Sequence, residues 1–178
     1  MGNNNTTTLL VVVDMQKDFV NGSLGSKEAQ AIVAPAAEYI RGFDGDAVVT
    51  YDTHHEDYLE TPEGKKLPVR HCIFGSDGWE LAPEISDALS GKSYEIVKKE
   101  TFGSTALPAF IQERFKKFDR IELLGLCTDI CVISNALILK NSFPDVQIAV
   151  HASLCAGVTP AKHEAALEVM RSCQIDII

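Results

Sequence analysis

The feature that most restricts how this chain can fold is a rhythm. Short apolar runs recur along it, each giving way to a polar residue and then to a stretch with helical spacing. Residues 8–13 are apolar and rich in β-branched side chains, end in Asp14, and precede a run of Ala, Ile, Val and Tyr at helical spacing over residues 28–41. Residues 47–50 lead to Tyr51-Asp52, residues 94–97 to Lys98-Lys99, and residues 121–124 to Gly125; residues 146–150 form a fifth run and residues 174–178 offer a sixth. Helices are expected at 104–117 with Ser104 as N-cap, at 129–141, and at 160–173 with Pro160 in first position. Pro35 fits the first helix only in its opening turn or at a kink. Apolar runs of this length suit strands covered on both faces, and strict strand–helix alternation predicts one three-layer α/β domain, residues 1–178, around a parallel sheet. The polar residues 1–8 are expected to be flexible. Residues 53–76 carry Pro62, Gly64, Pro68 and Gly75 without periodicity, and a loop that long in a compact domain is usually functional.

Open α/β sheets bind their ligands beyond the carboxyl ends of the strands. Asp14, Asp52, Lys99 and the segment from Cys127 to Cys131 each stand just past a different predicted strand, so they are expected on one rim. Cys131 falls in the first turn of a predicted helix, where free N–H groups and the helix dipole favour a thiolate. Carboxylate, ammonium and thiol together make a catalytic set. Lys99 would stabilise the thiolate and anchor Asp14, while Asp14 would take the thiol proton and return it to a leaving amine. Taken singly, the three also suit plainer roles: a core cysteine, a loop carboxylate and a solvated lysine. A second set lies in the long loop. Asp52, His54 and His71, with Glu60 and Glu63 nearby, are ligand types for Zn²⁺, Mn²⁺ or Fe²⁺. Strand-like alternation turns His55 away from His54. Cys72, Cys155, His151 and His163 read as structural.

The balance of charge and the cysteine pattern narrow the setting. A formal charge of -9 and a pI near 5.0, with no basic cluster, argue against a nucleic-acid partner. No apolar run approaches the roughly 20 residues a membrane helix needs, and Met1 to Thr8 lacks a signal-peptide pattern, so a cytoplasmic protein without membrane attachment is expected. Gly2 is a poor myristoylation start without a second basic signal. Five cysteines without a Cys-x-x-Cys pair fit free thiols in a reducing compartment.

The ordered motifs Val13-Asp14-Met15-Gln16-Lys17-Asp18-Phe19, Asp52-Thr53-His54, Leu67-Pro68-Val69-Arg70-His71-Cys72, Lys99-Glu100-Thr101-Phe102-Gly103-Ser104 and Gly125-Leu126-Cys127-Thr128-Asp129-Ile130-Cys131-Val132 resemble those of the isochorismatase-like cysteine hydrolases. Within that superfamily the Asp-x-His and the later His are similar to the nicotinamidases. The likeness runs from about residue 9 to residue 158. It implies an α/β/α domain with a six-stranded parallel sheet and an Asp14–Lys99–Cys131 triad, Lys99 being preferred to Lys98 because the family's lysine stands three residues before the aromatic. It also implies a cis peptide at Leu126–Cys127, with the N–H groups of Cys127 and Cys131 forming an oxyanion hole. Asp52, His54 and His71 would hold one divalent ion (Zn²⁺, or Mn²⁺ or Fe²⁺), with Glu63 favoured over Glu60 or water as the fourth ligand. Phe19 and Phe102 would wall a pyridine ring. Leu67-Pro68 replaces the family's aromatic and proline, making one wall aliphatic, and Thr53 replaces a tryptophan between the ligands. The implied activity is hydrolysis of nicotinamide, or a similar carboxamide, to the acid and ammonia through a thioester, feeding NAD salvage. A related hydrolase acting on another amide, carbamoyl or ureido substrate is the alternative, followed by a non-catalytic binding protein. A homo-oligomer is expected by analogy.

Overall fold

The computed structural model describes residues 7–178, so residues 1–6 of the segment expected to be flexible lie outside the described residues. Six strands form one sheet: β1 (Thr8–Val13), β2 (Ala47–Asp52), β3 (Tyr94–Lys99), β4 (Arg120–Leu126), β5 (Gln147–Ala156) and β6 (Asp176–Ile177). Every pairing is parallel and the order is β3-β2-β1-β4-β5-β6. This is the parallel sheet the alternation predicts, with the six strands the resemblance implies. Among the described residues, seven α-helices connect and flank the strands: α1 (Lys17–Val20), α2 (Lys27–Gly42), α3 (Pro62–Lys66), α4 (Pro83–Leu89), α5 (Leu107–Arg114), α6 (Ile133–Ser142) and α7 (Pro160–Ser172). The central strands are continuous apolar runs because both faces are covered: Leu9 to Val13, Val48, Val49, Leu123 and Leu124 are all buried.

The strand order reverses between β1 and β4, and the crevice beyond their carboxyl ends is where such sheets place a site. The two strands meet tightly there. Gly125 pairs with Val13 at φ +125°, and a Cβ would stand 2.1 Å from the Val13 carbonyl oxygen, so only glycine fits.

Several local expectations are corrected. The helix expected at 104–117 spans only Leu107–Arg114, capped by Ala106; Ser104 donates its N–H to Asn135 Oδ1 at 2.9 Å instead of capping it. The helix expected at 129–141 opens as a wide π-turn over Thr128–Val132, and regular helix begins only at Ile133. β5 extends to Ala156, with a bulge opposite the glycine: Leu123 pairs with Val150, whereas Gly125 pairs with Cys155. Pro35 sits mid-helix in α2, not in its opening turn, on an exposed position. Among the described residues, no helix is long and apolar enough to cross a membrane.

Candidate active site

Parallel register does most of the assembly. Asp52 and Lys99 are the last residues of β2 and β3 and are direct partners in the ladder; Asp14 follows Val13, whose partner on β2 is Thr50. The Lys99 ammonium consequently lies 2.6 Å from Asp14 Oδ2, 3.1 Å from Asp52 Oδ1 and 3.4 Å from Cys131 Sγ. All four residues are buried. Thr50 Oγ1 donates to Asp14 Oδ1 at 2.6 Å, so one carboxylate oxygen of Asp14 is held by a hydroxyl and the other is turned to the lysine. Asp14 itself has φ +48°, a backbone state that aspartate tolerates better than most residues.

The electrostatics separate the two carboxylates. Burial raises the Asp14 carboxyl above its ordinary value and outweighs the opposing charge of Lys99. Burial acts on Asp52 in the same sense, but the adjoining His54 and His71 imidazoles and the Lys99 charge outweigh it and hold that carboxyl well below the usual range. Burial works to discharge Lys99, yet Asp14, Cys131 and Asp52 hold its pKa well above the ordinary value. The expected thiolate is corrected. Burial first, then the Asp14 charge, push the Cys131 thiol well up despite Lys99, so the resting sulfur carries its proton beside a carboxyl suited to receive it. Cys131 sits inside the π-turn and is buried, and burial is the larger of the effects that oppose a thiolate there.

Asp52 also belongs to a second group. Its Oδ2 lies 3.1 Å from His54 Nε2 and 3.6 Å from His71 Nε2. Among the described residues, Asp52, His54 and His71 form a buried set whose ligand atoms lie within 4.8 Å of one another. Glu63 Oε1 approaches the two imidazoles at 3.8 and 3.9 Å, whereas Glu60 is exposed. The donor set fits a metal. His54 Nε2 is buried without a hydrogen-bond partner, and His71 Nδ1 is engaged by the Val69 carbonyl at 2.8 Å, which leaves its Nε2 facing the group. His55 is no part of the buried set and pairs with Glu100 at 3.4 Å, both being exposed.

Over these groups lies a cavity of about 260 Å³. Cys131, Cys127, Asp52, Glu63 and His71 line it, together with Phe19, Leu67 and Phe102, the wall residues that the resemblance implies. Leu24, Ile130 and Val158 complete the walls; Ile130 stands in a quoted motif without a role of its own, and Leu24 and Val158 stand in none. The peptide between Leu126 and Cys127 is cis, as the resemblance implies.

Supporting residues went unnoticed in the sequence. Gln16 Nε2 donates to the carbonyls of Asp52 and Trp79, and Gln16 Oε1 accepts from the Asp52 N–H, so one side chain fixes the backbone of the shared carboxylate. Buried Asn135 accepts from Ser104 N–H and donates to the Cys131 carbonyl at 2.8 Å, tying the cysteine turn to the loop that carries Phe102. Both stand in or near quoted motifs, but only tertiary partners reveal their roles. His163 and His151, which had no evident partners, bond Thr128 and Glu122 at 2.8 Å.

Comparison with known proteins places this geometry. The family model of the isochorismatase domain matches residues 8–178. The nicotinamidase/pyrazinamidase of Mycobacterium tuberculosis is 26% identical over 187 residues, covering 95% of this chain and 97% of its own. Among solved structures, nicotinamidase from Bacillus subtilis superposes with a TM-score of 0.83 at 26% identity over 96% of this chain and 98% of that one. A pyrazinamidase of Pyrococcus horikoshii in complex with zinc gives 0.81 at 28% identity, with the same coverage of 96% and 98%.

Proposed function

The chain belongs to the isochorismatase family, and from that premise we propose that it is a cysteine amidase hydrolysing nicotinamide, or a closely similar pyridine carboxamide, to the acid and ammonia. The observation that carries this reading is the single ammonium of Lys99 touching Asp14, Asp52 and the Cys131 sulfur beneath an apolar cavity. The relatives named nicotinamidase support the substrate class.

Asp14, with its carboxyl raised by burial, takes the proton from the Cys131 thiol as the sulfur attacks the carboxamide carbon. Lys99 balances the anionic charge that moves between sulfur and carboxylate without giving up its own proton. The oxyanion faces the backbone N–H groups of Cys127 and Cys131. Collapse of the adduct breaks the C–N bond, and Asp14 returns its proton to the departing ammonia, leaving a thioester on Cys131. Asp14 then draws a proton from water, whose oxygen attacks the thioester carbon; the acid leaves and Cys131 regains its proton. Phe19, Phe102 and Leu67 hold the ring and exclude water from the sulfur.

Asp52, His54, His71 and Glu63 would hold a divalent transition ion, Zn²⁺ or alternatively Mn²⁺ or Fe²⁺. Bound there, it would supply a Lewis-acid anchor for a ligand's ring nitrogen. Asp52, kept ionised, suits that duty, and Asp14 suits the proton transfers. The cavity lining contains no Arg or Lys, so an anionic ureido acid would find no surface counter-charge; this favours the neutral carboxamide. All five cysteines are free, consistent with work in a reducing cytoplasm, where the nicotinate would feed pyridine-nucleotide salvage.

An ammonia-release assay over pyridine carboxamides and ureido compounds, with and without chelator, tests the proposal. Fastest turnover of nicotinamide and loss of that turnover on metal removal are expected. Preference for a ureido compound, with no effect of chelation, would assign the chain to another reaction.

A further inference from the structure

A second cleft, of about 330 Å³, also reaches the Asp52–His54–His71 group through His54, and it is more polar than the first, with carboxylates and imidazoles in its lining. His54, His55, Asp57, Tyr58, Glu63 and Glu100 line it, and no Lys or Arg does. Glu63 and no other residue lines both clefts, so it stands between them. The side chains grade in exposure from solvent inward: Glu100 is 72% exposed, His55 56%, Glu63 23% and His54 7%. At the inner end the His54 imidazole presents a buried Nε2 with no hydrogen-bond partner.

A hydrated dication cannot cross an apolar passage without giving up water for nothing in return, and that loss is costly. Along a passage of carboxylates and imidazoles it exchanges waters for protein ligands one at a time. We propose that the second cleft is the route by which a divalent cation reaches and leaves the Asp52–His54–His71 group, with Asp57, His55 and Glu100 as transient ligands that pass it inward to Glu63. The site thus has two doors, an apolar one for the organic substrate and an acidic one for the ion. The inference rests on the metal-binding part of the proposed function.

The test follows zinc rather than turnover. Release of Zn²⁺ from the loaded protein to a chromogenic chelator, and its uptake by the stripped protein, are timed in the parent and in the triple variant His55→Gln, Asp57→Asn, Glu100→Gln. Both rates are expected to fall about tenfold or more, with a weaker salt dependence of uptake, because the steering carboxylates are gone. Zinc content at saturation should match the parent, since none of the three is a final ligand. Alkylating Cys131 with iodoacetamide, which fills the apolar cavity, should leave both rates unchanged. Unaltered rates in the triple variant, or uptake blocked by alkylation, would overturn the route while leaving the metal site intact. A parent protein that takes up no zinc would remove both the metal site and the route. The single variant Glu100→Gln, at an exposed position, provides the same comparison with the least disturbance to folding.

Discussion

The two halves of the site are held by different means. Asp14 and Lys99 sit at strand ends, where the parallel ladder sets Asp52 beside Lys99 and places Asp14 next to Thr50. His54 and His71 belong to the segment between β2 and β3, and Glu63 to the short α3 within it; this segment is anchored by separate polar contacts. Asp18 Oδ2 accepts from the Cys72 N–H at 2.8 Å, Tyr58 Oη donates to the Leu67 carbonyl at 3.0 Å, and Thr61 caps α3. The difference teaches where each half is vulnerable. Sheet register is a collective property that one substitution rarely shifts, whereas a loop tied by a few hydrogen bonds can be loosened one contact at a time. Asp52 serves both halves, with one oxygen on Lys99 and the other facing the imidazoles.

The contrast can be broken most severely at the rim. Cys131→Ala should lower ammonia release by at least about 10³-fold while nicotinamide still binds, as measured by steady-state kinetics and calorimetric titration; turnover near the parent's would remove the thiol from the chemistry. Asn135→Leu, which removes the tie between the Cys131 carbonyl and Ser104, sharpens the comparison within the rim half. A fall of about 10²-fold in kcat with little change in KM is expected, because a misplaced sulfur costs rate rather than ring binding. Equal losses in kcat and in folded fraction would make Asn135 merely structural.

On the loop side, Asp18→Ala should destabilise by about 1–3 kcal/mol and lower metal retention, with much of the melting temperature restored by added Zn²⁺. Thermal scans with and without zinc read this out, and a variant as metal-tight as the parent would show that the loop is held by something else. The smallest effect belongs to neither half. Glu122 accepts from Tyr39, Arg120 and His151, and although burial works to raise its carboxyl, these bonds hold it below its ordinary value of 4.5. A depressed carboxyl contributes stability above its unfolded pKa and loses it as pH falls through the folded one. Glu122→Gln should therefore cost about 1 kcal/mol at neutral pH, a difference that shrinks below about pH 4.5 in melting experiments, with catalysis unaffected.

The same contrast explains what could be read from the chain. Strand ends are marked in one dimension, since an apolar run followed by Asp14 or by Lys98-Lys99 reports both the strand and the rim residue. His71 and Glu63 could be read from the chain as ligand types, but the choice of Glu63 over Glu60 needed the resemblance, because nothing local says where that segment folds back. α4, only Pro83–Leu89, went unseen because seven residues carry too little periodicity. The π-turn at Thr128–Val132 has no compositional mark, and the burial and Asp14 charge that push the Cys131 thiol up arise only in the folded site. Gln16, Thr50 and Asn135 act on partners at least 31 residues away wherever they bridge segments, so their roles exist only in three dimensions.

The central claim is that one sulfur carries the acyl group. Rapid acid quench of the protein during nicotinamide turnover, followed by mass spectrometry of the peptide containing Cys131, measures this directly. The account predicts a nicotinoyl adduct on Cys131 that appears within the first turnover and decays as substrate is exhausted. Sustained ammonia release with Cys131 unmodified at every quench time would contradict it.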